Sequence, residues 1–123
     1  MTTAPFFPVV IHHNPQCGTS RGVLAMIREA GHEPAIVAYL ETGWTRPQLL
    51  ALFAAAGLSP RTALREARSP AKDLGLLEPG ITDEQILDAM IRHPELVNRP
   101  IVATPKGVRL CRPAELVRAL LDG

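Results

Sequence analysis

Two cysteines in 123 residues cannot supply a disulfide framework, and so few thiols suit a reducing compartment. No apolar run approaches the roughly 18–20 residues that a membrane span requires. Nor does the stretch from Met1 to Phe7 carry the positive charge that opens a secretory signal, so the expected location is the cytoplasm. An excess of one charge is missing too. Thirteen Lys+Arg against twelve Asp+Glu leave a net charge of +1, which raises no field to hold nucleic acid or anionic lipid. Paired Cys-x-x-Cys and HExxH patterns are absent, so no metal is expected, and His12-His13 is a weak hint because adjacent strand residues face opposite ways. Neither a Rossmann nor a Walker motif occurs. A phosphatase-type oxyanion loop needs Cys-x5-Arg, but the arginine positions counted from Cys17 and Cys111 hold Val23 and Val117.

What is present has the balance of a folded globular chain, with 46% hydrophobic and 20% charged residues. A single domain spanning 1–123 is expected from that length. Among the basic residues, arginine dominates, and Lys72 and Lys106 are the two lysines. Base composition of the genome accounts for such a bias, so an arginine is evidence of anion binding only through its position.

The β-branched run Phe7–His12 predicts a buried strand, followed by the turn-rich, polar stretch His13–Ser20. Val23, Met26, Ile27 and Ala30 then recur at helical spacing up to Gly31, a good C′ residue. Pro34–Tyr39 predicts a second strand, parallel to the first because a helix separates them. Thr45-Arg46-Pro47-Gln48 and Thr82-Asp83-Glu84-Gln85 are helix-opening capping boxes. Between them the prolines and glycines of residues 58–81 predict short helical turns. Pro100–Thr104 and Val108–Cys111 predict a hairpin around Pro105-Lys106-Gly107. A last helix is expected from Pro113, with Leu116, Val117, Leu120 and Leu121 as its apolar stripe. The order β-α-β, helices, β-β-α is that of an α/β, thioredoxin-like four-stranded mixed sheet. A helical insertion, approximately residues 45–98, falls between strands two and three.

Cys17 stands between a strand and a helix, just ahead of the backbone N–H groups of Gly18, Thr19, Ser20 and Arg21. Those donors have no intrahelical partners and mark the positive end of the helix dipole. A thiolate there is stabilised, and such sites bring a cysteine to about 3.5–7.5. An unperturbed thiol is only about 3% ionised at pH 7, so a shift of about two units multiplies the nucleophile more than tenfold. The same N–H groups can hold an oxyanion. Cys111, in an apolar strand, is expected to be structural. Ser20 fills the place of a second Cys-x-x-Cys thiol, so electrons for any redox reaction at Cys17 must come from outside.

The segment His13-Asn14-Pro15-Gln16-Cys17-Gly18-Thr19-Ser20-Arg21 resembles the active-site segment of the glutaredoxin-linked arsenate reductases. The likeness continues through Tyr39-Leu40-Glu41-Thr42, Arg61–Arg65, Asn98–Val102 and Leu110–Pro113. That resemblance implies a thioredoxin-like fold with a helical insertion. It also implies that Cys17 attacks arsenate to form a covalent adduct, with Arg65, Arg99 and Arg112 around the anion. Gly18, Thr19 and Ser20 would bind it from the helix start. His13 matches a histidine that helps hold the cysteine ionised, and Pro100 the cis-proline that faces the redox cysteine. Glutathione is implied as co-substrate and glutaredoxin as the partner that resolves the mixed disulfide, with no bound cofactor. Arg61 and Arg68 are read as solvated surface charges. Two other functions fit the fold: a redox-responsive protein that binds transcription machinery, and a glutathione-dependent thiol transferase without an arsenic substrate. Ser20 speaks against the first, and the arginine trio against the second.

Overall fold

The computed structural model describes residues 7–121. Two strands, β1 (Val10–His12) and β2 (Ala35–Val37), flank helix α1 (Gly18–Glu29). A helical stretch follows, made of α2 (Tyr39–Thr42), α3 (Arg46–Ala56), α4 (Pro60–Ala63) and α5 (Asp83–Arg92), with a 3₁₀ turn at Pro94–Leu96. Strands β3 (Ile101–Thr104) and β4 (Gly107–Leu110) and a 3₁₀ segment at Ala114–Leu120 complete it. The sheet order is β2-β1-β3-β4. β1 is parallel to β2 and antiparallel to β3, and β3 is antiparallel to β4. The architecture is the expected four-stranded mixed sheet with helices between strands two and three.

Two details differ from the sequence reading. Tyr39, expected to end the second strand, starts α2; its ring stacks on Trp44 with centroids 4.9 Å apart and is buried. Packing against that indole outweighs the β preference of an isolated Tyr. The last segment has an apolar stripe as expected, but its turns are 3₁₀ rather than α.

Alternation along the strands divides the core into two layers. Ile11 and Val102 pack with Val23 and Ile27 of α1, and with Val117 and Leu120 of the C-terminal segment. Their neighbour Ile101 packs on the other side with Leu49, Phe53, Ile86, Leu87 and Met90 of α3 and α5. Capping boxes open α3 at Thr45, α4 at Ser59 and α5 at Thr82. Among the described residues no helix is long and apolar enough to cross a membrane.

Candidate active site

The loop ahead of α1 is built on Asn14. Its side-chain oxygen accepts the Gln16 N–H at 2.9 Å, and its carbonyl accepts the Cys17 N–H at 3.1 Å. Cys17 is thereby left as the N-cap residue of α1, with extended backbone and no acidic residue in the following turn. It is 9% exposed. Burial pushes its thiol up, but the Ser20 backbone N–H and the guanidiniums of Arg99 and Arg112 outweigh that and bring it down to about 7. Arg112 Nη1 lies 3.7 Å from the sulfur.

The three arginines come from separate parts of the chain. Leu64 pairs with Val97 in an isolated antiparallel bridge, the Arg65 N–H donates to the Leu96 carbonyl at 2.7 Å, and the Asn98 N–H donates to the Ala63 carbonyl at 2.8 Å. Arg65 is thus laced beside the segment leading to Arg99. The hairpin register Ile101↔Leu110 carries on one step, with the Cys111 N–H donating to the Pro100 carbonyl at 2.9 Å. Arg112 follows, and its Nη1 donates to the Arg99 carbonyl at 3.0 Å. The Arg99–Pro100 and Arg112–Pro113 bonds are cis.

A cleft of about 340 Å³ results, lined by Asn14, Gln16, Cys17, Gly18, Thr19, Arg65, Arg68, Arg99 and Arg112. Among the described residues no acidic side chain lines it. Burial, and then repulsion from Arg99 and Arg112, lower the proton affinity of Arg65. The Nε atoms of Arg65 and Arg99 and the Tyr39 hydroxyl are buried without a hydrogen-bond partner. Burial raises that hydroxyl to about 12, against the charges of Arg99 and Arg65.

His13 sits differently from a simple charge partner of the sulfur. Its Nδ1 shares a 2.6 Å hydrogen bond with Ser20 Oγ, which also accepts the Asn14 N–H at 3.1 Å. Burial first, then Arg28 and Arg21, lower its pKa. The ring is therefore held neutral at pH 7, and it reaches Cys17 through Ser20. The buried His12 bonds the Ile101 carbonyl at 2.8 Å instead.

The structure brings Cys17, Gly18, Thr19, Arg65, Arg99 and Arg112 to one cleft, with Ser20 in the first turn beneath it. The model of the ArsC family matches residues 12–120, which takes in all of them. The chain belongs to the ArsC family. Arsenate reductase ArsI2 of Synechocystis sp. is 64% identical over 114 residues, 93% of this chain and 81% of that protein. An arsenate reductase of Escherichia coli (strain K12) is 52% identical over 113 residues, 92% of this chain and 80% of its own length. A solved arsenate reductase from Vibrio cholerae superposes with a TM-score of 0.88 at 36% identity, covering 94% of this chain and 98% of that one. The fold is accordingly the thioredoxin-like one of ArsC proteins.

Three residues of this ArsC cleft, Asn14, Gln16 and Arg68, escaped the sequence reading as lining groups. Asn14 had a signal, an Asn-Pro pair in a turn-rich loop, which favours side-chain bonding to nearby N–H groups. Arg68 had none. Read as a solvated charge, it is indeed exposed, yet it forms part of the cleft wall from a left-handed backbone, φ 55°. Arg61, by contrast, donates to the Ile81 carbonyl at 2.7 Å and does not line the cleft.

Proposed function

We propose that this protein reduces arsenate to arsenite, with Cys17 as nucleophile and with glutathione and glutaredoxin as the source of electrons. The observation that carries this reading is a thiol near pKa 7 at a helix N-terminus, in a cleft that the described residues line with arginines and no carboxylate. Buried donors without partners are costly. A tetrahedral oxyanion would satisfy the free Nε–H groups of Arg65 and Arg99, and the Gly18, Thr19 and Ser20 N–H groups would take its remaining oxygens.

In the first step the Cys17 thiolate attacks arsenic, a sulfur–arsenic bond forms, and one oxygen leaves as water after protonation. The arginines offset charge that grows on the oxygens as the bond forms. Glutathione then attacks the adduct. Arsenic takes the electron pair of its bond to sulfur and leaves as arsenite, and Cys17 is left in a mixed disulfide with glutathione. Glutaredoxin's thiolate attacks the glutathione sulfur and returns Cys17 as thiolate. Across the cycle arsenic(V) gains two electrons, and two thiols are oxidised to one disulfide.

An external reductant is supported by the chain's own thiols. Ser20 is engaged with His13 and Asn14 where a resolving thiol would stand. Cys111 is fully buried, and burial pushes it up to about 12. A glutathione pool belongs to a reducing compartment such as the cytoplasm. The test is arsenate-dependent oxidation of glutathione with glutaredoxin present and arsenite measured directly. Arsenite formation that needs neither thiol, or that survives in Cys17→Ser, would overturn the reading.

A further inference from the structure

We infer that Arg68 selects the thiol co-substrate by pairing with a carboxylate on it; this rests on the thiol-dependent reduction proposed above. A doubly charged arsenate and the Cys17 thiolate bring three negative charges, which Arg65, Arg99 and Arg112 match. Arg68 is a fourth guanidinium on the same wall, and among the described residues no carboxylate lines the cleft to neutralise it. One positive charge is therefore left over once the oxyanion is bound.

Space agrees with charge. About 340 Å³ is on the order of ten water volumes, whereas the oxyanion contributes four oxygens. Room remains above the sulfur for part of a second reactant.

Position separates Arg68 from the other three. Arg65 and Arg99 have buried Nε atoms, and Arg112 touches the sulfur, whereas Arg68 is exposed at the rim. It sits close enough to disfavour the charge on Arg65. Its backbone is held at φ 55°, where an arginine is uncommon. The following turn is tied down by the Ser69 hydroxyl, which donates to the Arg65 and Glu66 carbonyls and accepts the Ala71 N–H. The backbone that carries the guanidinium is thus held in place, and the exposed side chain lines the cleft where an incoming thiol can meet it. Glutathione carries two carboxylates, and a planar guanidinium pairs with one of them bidentately.

The test uses disulfide exchange at Cys17, so that it does not depend on arsenate turnover. Cys17 thiolate attacks glutathione disulfide, forming the Cys17–glutathione disulfide and releasing glutathione thiolate. The neutral disulfide of 2-mercaptoethanol reacts in the same way without any carboxylate. Arg68→Asn keeps a residue that tolerates a left-handed backbone. It is expected to slow exchange with glutathione disulfide roughly fivefold, to leave the neutral disulfide unchanged, and to leave protection of Cys17 by arsenate unchanged. Arg68→Lys should recover part of the loss. Equal slowing with both disulfides would overturn the inference, as would equal slowing in Arg92→Gln, which lines a different groove. Weakened protection by arsenate would overturn it in favour of a fourth oxyanion ligand. If the wild-type protein fails to reduce arsenate while the charge-selective exchange persists, the reductase reading falls and the carboxylate site stands.

Discussion

Taking a thiol out of water makes it a weaker acid, and at Cys111 that effect outweighs the opposing charge of Arg109. Cys17 pays the same cost, yet it comes to about 7 because an N–H and two guanidiniums favour its anion. Cys17→Ser is therefore expected to abolish arsenate turnover, whereas Cys111→Ala, with folding checked by circular dichroism, retains most of it. Comparable loss in a folded Cys111 variant would contradict a single nucleophile. Alanine at Arg65, Arg99 or Arg112 should each lower kcat/KM by an amount equivalent to ~2–4 kcal/mol, the range for one lost oxyanion donor. Arg61→Ala, which removes a bond to the Ile81 carbonyl outside the cleft, should cost far less. His13 acts along a chain of bonds, through the Ser20 hydroxyl to the turn whose N–H favours the thiolate. His13→Ala and Ser20→Ala are each expected to raise the Cys17 pKa, and the double variant to raise it no further than the larger single effect. Iodoacetamide rates across pH measure this, and additive shifts would show two separate routes to the sulfur.

At the scale of elements, short helices are placed by their caps. α4 is only four residues long, opened by Ser59, whose hydroxyl accepts the Thr62 N–H at 3.1 Å. Arg65 follows two residues after its end, so disorder in α4 reaches the cleft. The Thr82 cap of α5 has the same chemistry, with a 3.2 Å bond from the Gln85 N–H, but α5 gives no residue to the cleft. Ser59→Ala and Thr82→Ala should each destabilise the fold by about 1 kcal/mol in urea titrations. Only Ser59→Ala is expected also to raise the KM for arsenate; an equal rise in both would make the effect one of global stability. In α1 the absence of an acid from the first turn matters because a carboxylate there would compete for the same N–H groups. Thr19→Asp should raise the Cys17 pKa and slow its alkylation at pH 7, even though an acid at that position ordinarily stabilises a helix.

Across the whole molecule, segments around residues 14–20, 65–68 and 99–112 meet only when the sheet and the helices between β2 and β3 are both in place. Depression of the Cys17 pKa is therefore a property of the fold, and it links stability to pH. The folded value of about 7 lies below the unfolded value of about 8.5. Its stabilising contribution is full above the unfolded value and is lost as pH falls through about 7. Cys111 acts in the opposite sense, because its raised pKa removes stability as pH climbs toward about 12. Comparing the wild-type protein with Cys17→Ser isolates the first effect. The stability difference between them should grow from acid to mildly alkaline pH, read from the emission of Trp44, which is 5% exposed. A difference that stays constant with pH would mean the thiolate is not favoured by folding.

Local rules were enough for much of this protein. The β-branched runs Phe7–His12 and Pro100–Thr104, the Thr45 and Thr82 capping boxes, and the helix start after Cys17 depend on near neighbours, and each is legible residue by residue. The resemblance carried Arg65, Arg99 and Arg112, which arginine abundance could not have singled out. Contacts between distant segments were not legible. That Tyr39 turns into a helix depends on Trp44 beneath it. That His13 bonds Ser20 and is held neutral depends on burial and on Arg28 and Arg21 across α1. That Arg68 reaches the cleft depends on a left-handed backbone and a turn pinned by Ser69. Spacing along a chain sets which residues share a face, but burial and charge at a point are sums over everything the fold brings near it.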